Sequence, residues 1–333
     1  MIRVAMLSYW HVHANDYARQ AIEHPDLEIV AVWDEVPERG RQAAERLEVR
    51  FFESLDELLA QGDIDAVIVD APTNMHRDVM VKAANAGKHI FTEKVLAPTL
   101  KEANDIVDAV NKNGVKLTVS LPRLNEGYTQ AIEHTIEQGL LGQLTLVRAR
   151  LSHNGATDGW LPAHFFDLEQ CGGGAMIDLG CHPMYLTRLF LGLPETVSAH
   201  YGYVTGKEVE DNAVVVLRYP NGALGIVEAG FVNRFSPFTL ELHGTEGSLL
   251  FGTPEAKMVL RTSRLGEEVA KQWIVRELPD RKPSAMQQWV THIKENTVAE
   301  RNIELALDLT KLMEAANLSA ARGEPIRLAD LDS

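Results

Sequence analysis

Three side chains in this sequence are of the types that proton and hydride chemistry needs: Lys94, Asp178 and His182. Lys94 closes a short apolar run, Gly87-Lys88-His89-Ile90-Phe91-Thr92-Glu93-Lys94-Val95, which reads as a strand ending in a carboxylate and an ammonium. In an open parallel α/β sheet, ligands bind beyond the carboxyl ends of the strands, so a charged pair there faces a cleft and not the core. Asp178 and His182 stand four residues apart, just after Gly172-Gly173-Gly174, a run that allows close backbone approach. On a helix that spacing puts both on one face, and a carboxylate beside an imidazole fixes its tautomer and supports its cationic form. Such a histidine takes a proton near neutral pH, and an ammonium near the same oxygen stabilises its developing charge. Pro183 removes a helical donor and is expected to bend the chain at His182. Taken singly, a Glu-Lys strand exit is solvated surface and an Asp–His pair is a structural hydrogen bond. Their occurrence together points to a site.

The elements that must position these residues change character near residue 120. Residues 1–120 alternate strands with amphipathic helices, the pattern of a parallel sheet built from βαβ units. Strands are expected at Ile2–Leu7, Leu27–Trp33, Ala66–Val69, His89–Thr92 and Val115–Val119, with helices over about 12–24, 36–47, 75–87 and 99–113. Strand two runs into Asp34, where a carboxylate accepts hydrogen bonds from an adenosine ribose diol and repels a 2′-phosphate; this favours NAD over NADP. The first turn lacks the expected G-x-G-x-x-G and reads Ser8-Tyr9-Trp10-His11-Val12-His13. A helix N-terminus holds a phosphate through backbone N–H groups regardless, and Ser8, His11 or His13 can add side-chain donors. In Pro72-Thr73-Asn74-Met75-His76, Pro72 stiffens a strand exit, Thr73 or Asn74 can cap the next helix, and Asn74 is a candidate for the nicotinamide ribose. The nucleotide-contacting set is therefore Ser8, Trp10, His11, Val12, His13, Asp34, Pro72, Thr73, Asn74, His76, Glu93 and Lys94.

Composition bounds what the chain can do. A length of 333 residues, 45% hydrophobic and 24% charged, normally makes two domains. No apolar run approaches membrane-spanning length and Met1 leads directly into a strand, so a cytoplasmic protein is expected. The net charge of −15 disfavours nucleic acid and anionic membranes as partners and suits a small neutral substrate. Cys171 and Cys181, even with Asp178 and His182 nearby, make a weak case for zinc, and no metal is expected.

From residue 121 to 333, long strands arrive consecutively, as in an α+β domain with one wide, mostly antiparallel sheet. Strands are expected at Leu144–Leu151, Val197–Val204, Asn212–Tyr219, Ala223–Phe231, Phe238–Gly244, Ser248–Phe251, Met258–Thr262 and Gln272–Glu277. Tyr219-Pro220-Asn221-Gly222 and His243-Gly244-Thr245-Glu246-Gly247 read as hairpin turns. Helices near 284–297 and 302–322 close the chain and are expected to pack back toward the first domain. The loop Ser152–Gln170 offers His153, Trp160 and His164, an aromatic platform with polar donors suited to a polyol, and Arg123 is a further candidate for the substrate cleft.

The chain resembles the Gfo/Idh/MocA oxidoreductases, which include glucose-fructose oxidoreductase and inositol 2-dehydrogenase. The resemblance rests on Pro72-Thr73-Asn74-Met75-His76 followed by Ala86-Gly87-Lys88-His89, on Glu93-Lys94-Val95 where the family usually has Glu-Lys-Pro, and on Gly172-Gly173-Gly174 leading to Asp178-Leu179-Gly180-Cys181-His182. The departures are the missing first-turn glycines, Val95, and Tyr185 where many members carry an aspartate. The resemblance implies a Rossmann domain with NAD, an open sheet that buries one face against a second subunit in a homodimer or homotetramer, and reversible oxidation of a secondary alcohol on a sugar or cyclitol. His182 is then the base, Asp178 its orienting partner and Lys94 the oxyanion-stabilising cation. Two rivals differ in outcome: a glycosidase using transient oxidation by bound NAD, and a catalytically impaired binding or regulatory protein.

Overall fold

The structure, a computed structural model, describes residues 1–331. It divides into two compact units, one of residues 1–121 with 283–310 and one of residues 122–282 with 311–331.

The first unit is a six-stranded parallel sheet in the order β3-β2-β1-β4-β5-β6. Its strands are β1 (Ile2–Leu7), β2 (Leu27–Trp33), β3 (Arg50–Phe52), β4 (Ala66–Val69), β5 (His89–Thr92) and β6 (Leu117–Val119). The helices between them are α1 (Ala14–Glu23), α2 (Pro37–Leu47), α3 (Leu55–Leu59), α4 (His76–Asn85) and α5 (Leu100–Asn113). Central strands buried on both faces require continuous apolar runs, and Ala66-Val67-Ile68-Val69 is fully buried. Pro37 opens α2, where its missing N–H costs nothing, and Gly114 closes α5 in a left-handed conformation. One sheet face packs Val4, Met6, Val32, Ile68 and Phe91 against Tyr17, Ala18 and Ala21 of α1 and against Met286, Trp289 and Val290. The helix Ala285–Glu295 thus belongs to the core of this unit, although it lies far along the chain. With this strand order the direction of winding reverses between β1 and β4, and the crevice at their carboxyl ends is the expected nucleotide position.

The second unit opens with α6 (Gly127–Glu137) and β7 (Leu144–Ser152), followed by α7 (Leu168–Cys171) and α8 (Cys181–Leu191). The strands β8 (Thr196–Gly202), β9 (Asn212–Arg218), β10 (Leu224–Gly230), β11 (Thr239–Gly244), β12 (Gly247–Phe251), β13 (Met258–Thr262), β14 (Ile274–Arg276) and β15 (Ile326–Arg327) complete it, with α9 (Glu267–Ala270) between β13 and β14. They form one nine-stranded sheet in the order β14-β13-β12-β11-β7-β10-β9-β8-β15. β7 and β10 run parallel, and the other pairs are antiparallel. Both expected hairpin turns are present, joining β9 to β10 and β11 to β12. α8 packs on β7 and β10, against a face of alternating buried residues that includes Val147, Ala149, Val227 and Ala229. The opposite face carries Val216, Ile226 and the ion pair Arg148–Glu228 at 3.0 Å. Among the described residues no helix is long and apolar enough to cross a membrane.

Candidate active site

In the first unit the ends of the strands carry the polar residues. Ser8 follows β1, Asp34 follows β2, Asp70 follows β4 and Glu93 follows β5; all four are buried. Ser8 stands where the first glycine is usual and adopts the glycine-like φ of +77°. Its Oγ accepts the Trp10 N–H at 3.0 Å. No side chain caps α1, so its first-turn N–H groups suit a pyrophosphate. Trp10 is buried and Val12 half-exposed.

His11 is buried and His13 half-exposed, and both meet Glu93. His13 Nδ1 lies 3.0 Å from Glu93 Oε2 and His11 Nδ1 lies 3.9 Å from it. Tyr17 Oη donates to the same oxygen in a short hydrogen bond and accepts the Ser120 hydroxyl at 2.7 Å. Glu93 Oε1 accepts the Lys94 N–H at 3.0 Å and stands 3.9 Å from Lys94 Nζ. Burial works to raise the pKa of Glu93, but His11, the hydrogen bond from His13 and Lys94 outweigh it and hold the carboxylate well below its usual range. Asp70 shows the reverse. Neither of its carboxylate oxygens has a hydrogen-bond partner, and burial with the neighbouring charge of Glu93 pushes its pKa well up. The Lys94–Val95 peptide bond is cis, and the Lys94 side chain is only 2% exposed.

Several residues expected to meet the nucleotide are committed elsewhere. Asp34 Oδ2 accepts the Tyr9 N–H at 2.8 Å and Arg39 Nε at 2.9 Å, while Oδ1 accepts the Val36 N–H at 2.8 Å and an Arg39 guanidinium N–H at 2.7 Å. With four donors on it, this carboxylate has little capacity left for a ribose. The neighbouring Glu35 keeps a buried Oε2 without a partner, its pKa raised by burial and then by Asp34. Sequence reasoning missed Glu35, although the paired acids at the end of β2 were a visible signal. His76 is buried among backbone carbonyls, with Nδ1 3.0 Å from Val95 O and Nε2 3.0 Å from Ala71 O, so it ties two loops together. Burial lowers its pKa. Pro72 and Thr73 are buried at the start of that loop, whereas Asn74 is exposed on a surface groove with Arg77, Thr99 and Glu102.

In the second unit, Met176–Gly180 forms a π-turn that runs directly into α8. Pro183 falls in the first turn of α8, where a proline needs no partner for its missing donor, so the expected bend at His182 is replaced by this wider turn before it. His182 is buried with Nδ1 3.1 Å from Tyr185 Oη, and that hydroxyl accepts the Arg123 N–H at 3.0 Å. Tyr185, the departure from the family pattern, therefore orients the histidine. Asp178 is half-buried and its charge acts on His153 and Cys171. The glycine run is held by Glu210, a residue the sequence did not single out, which accepts the N–H groups of Gly174 and Met176 at 2.9 Å each. Gly174 is obligatory, since a Cβ there would stand 2.1 Å from Glu210 O. Burial raises the Glu210 pKa from 4.5 to about 7.

The candidate substrate residues divide. His153 stacks on Phe231 with ring centroids 5.1 Å apart and meets Trp160 at 4.6 Å, while Trp160 stays 56% exposed. His164 stands on the same loop, its carbonyl accepting the Cys171 thiol at 3.2 Å. Arg123 lies over the Phe238 ring at 4.0 Å and donates to Tyr128 Oη at 3.0 Å. Cys171 and Cys181 are buried thiols, Cys181 donating to Asp178 O at 3.0 Å, and burial raises the Cys171 pKa to about 12. Among the described residues, His11, His13 and Glu93 bring ligand atoms within 4.8 Å of one another.

Comparison with known proteins decides the family. The profile described as "Oxidoreductase family, NAD-binding Rossmann fold" matches residues 2–121, and the GFO/IDH/MocA C-terminal domain matches residues 129–250. The chain belongs to the Gfo/Idh/MocA oxidoreductase family. It is 30% identical to the 1,5-anhydro-D-fructose reductase of Ensifer adhaerens over 71% of this chain and 72% of that protein. It is 33% identical to the scyllo-inositol 2-dehydrogenase (NAD(+)) of Bacillus subtilis over 69% of this chain and 67% of that protein. The fold matches a levoglucosan dehydrogenase solved with NADH and levoglucosan, with a TM-score of 0.81, 21% identity, and 98% of this chain and 99% of that one covered. The Gfo/Idh/MocA Rossmann domain of this chain binds NAD.

Proposed function

We propose that this member of the family is a dehydrogenase that moves a hydride between NAD and a secondary alcohol carbon of a sugar, sugar derivative or cyclitol. The observation that carries the reading is Lys94, an ammonium buried at the carboxyl end of β5 beside a charged Glu93, a strongly perturbed cluster of the kind found at functional sites. The relatives named above support the substrate class through the sugar and cyclitol substrates in their names. NAD, when bound, supplies the hydride acceptor at its nicotinamide. His182, oriented by Tyr185 and assisted by Asp178, takes the hydroxyl proton, and Lys94 stabilises negative charge on the oxygen. His153 and Trp160 give the substrate an aromatic surface.

The preference for NAD over NADP rests on β2. One guanidinium, Arg39, serves both Asp34 and Glu35, so the end of β2 keeps an excess of negative charge that opposes a 2′-phosphate. A homo-oligomer is proposed through the sheet face bearing Val216, Ile226 and Arg148, which light scattering of the purified chain tests.

The central test is turnover with a panel of sugars and inositols, followed by NADH absorbance. Lys94→Ala is expected to lower kcat/KM on the order of a hundredfold or more. His182→Ala is expected to cost on the order of a hundredfold to ten-thousandfold and to flatten the pH profile. Wild-type turnover in either variant, or no substrate for the unmodified chain, overturns the reading.

A further inference from the structure

We propose that His11, His13 and Glu93 form a site for one divalent transition-metal ion of the zinc class, which pins the glycine-free first turn to the end of β5. All three ligands belong to the first unit, so the site does not depend on the oxidoreductase reading. Two imidazole nitrogens and one carboxylate oxygen are a donor set that suits Zn(II), Co(II), Ni(II) or Fe(II).

The distances fit. Two donors on a tetrahedral zinc ion with bonds of about 2.0–2.1 Å stand roughly 3.3 Å apart. The two imidazole-to-carboxylate separations, 3.0 Å and 3.9 Å, bracket that edge, and all three ligand atoms lie within 4.8 Å. Shifts below an ångström bring them onto one ion. His11 Nδ1 accepts the His13 N–H at 3.2 Å, so this nitrogen carries a lone pair and not a proton, and ligation takes that lone pair in place of the long hydrogen bond. Tyr17 Oη hydrogen-bonds the carboxylate, the outer support that metal-bound carboxylates usually have.

A second observation is Asp70. Its carboxylate is fully buried, has no hydrogen-bond partner on either oxygen, and lies near enough to Glu93 for the two charges to oppose each other. The backbone ties these segments together, as the His11 N–H donates to Asp70 O at 3.1 Å.

The test uses the full chain made without a polyhistidine tag, stripped with a chelator and titrated with Zn²⁺ by calorimetry and with Co²⁺ by visible absorption. The expected result is one equivalent per chain, with the Co²⁺ spectrum of a protein-bound ion. The His11→Ala/His13→Ala variant is expected to lose that equivalent with an unchanged circular dichroism spectrum. His13→Gln, at a side chain 42% exposed, is the milder variant should the double one not fold, and is expected to weaken binding on the order of tenfold or more. A Cys171→Ser/Cys181→Ser variant is expected to keep the equivalent. No stoichiometric binding by the unmodified chain, undiminished binding in the histidine variants, or loss in the cysteine variant overturns the site. NAD titration of the stripped chain is read separately: a chain that binds NAD and no metal sinks this proposal alone, and one that binds metal and no NAD sinks only the dehydrogenase reading.

Discussion

Glu93 in the first unit and Glu210 in the second are both buried carboxylates beside a segment with candidate chemistry, yet burial leaves them in opposite states. Glu93 is met by two imidazoles, a tyrosine hydroxyl and Lys94, and stays charged far below its usual range. Glu210 is met by two backbone N–H groups and no cation, and burial carries it up to about 7. Desolvation is the largest influence on both, and the presence or absence of opposing charge decides the outcome. One carboxylate is an electrostatic anchor. The other serves chiefly as a hydrogen-bond acceptor for a glycine-rich turn.

The sharpest way to break this contrast is to remove the charge of Glu93. Glu93→Gln keeps the shape but leaves Lys94 buried without its counter-charge, and stability is expected to fall by about 3 kcal/mol, since one partner of a buried ion pair has gone. Glu93 lies below its ordinary pKa, so the stability it contributes is present above about pH 4.5 and is lost as pH falls toward the folded value. Urea unfolding at pH 7 and pH 4 should therefore show the variant and the parent drawing closer in acid. Parallel curves would show that Glu93 is not the charged anchor.

Glu210 has the opposite sign. Its folded pKa is raised, so its contribution is intact below pH 4.5, declines between 4.5 and about 7, and is flat above. The span corresponds to about 3 kcal/mol. Glu210→Gln is expected to remove this slope while losing one of the two amide hydrogen bonds, which costs about 1 kcal/mol at low pH. Stability measured across pH 4.5–7.5 checks it, and an unchanged slope in the variant would assign the titration elsewhere. Gly174→Ala attacks the same contact by sterics, and a loss of about 3 kcal/mol is expected because backbone, not a flexible side chain, stands in the way.

These two anchors mark where sequence reading stops. The strands with clear patterning were legible, Met258–Thr262 and Ile2–Leu7 to the residue, as was the wide antiparallel sheet. β3 and β15, of three and two residues, are too short to show a period. α6 went unread because Thr129 and Thr135 occupy buried positions on its core face and mask the apolar stripe. At the site, the glycine-like role of Ser8 and the close packing at Gly174 were visible in residue type alone. The meeting of His13 with Glu93, 80 positions apart, was not, because nothing in either segment specifies the other. Glu210 was hidden for the same reason: its partners are backbone N–H groups, which carry no sequence signal.

The smallest effect concerns Ser8, where the contrast between side-chain and backbone anchoring is carried by one residue. Its φ of +77° lies in the region that favours glycine, and holding a serine there costs on the order of 1 kcal/mol. Its Oγ offsets that cost by accepting the N–H of the buried Trp10 at 3.0 Å. Ser8→Gly relieves the strain and loses the hydrogen bond, so the net change in stability is expected within about 1 kcal/mol of zero. Ser8→Ala loses the hydrogen bond and keeps the strain, so it is expected to be less stable than Ser8→Gly by about 1 kcal/mol, the backbone term alone. Thermal melts of the two variants give that difference directly. Equal stabilities would mean that the turn relaxes away from its left-handed conformation once Oγ is gone, and that the hydroxyl, not the fold around it, holds Ser8 in the place of the missing glycine.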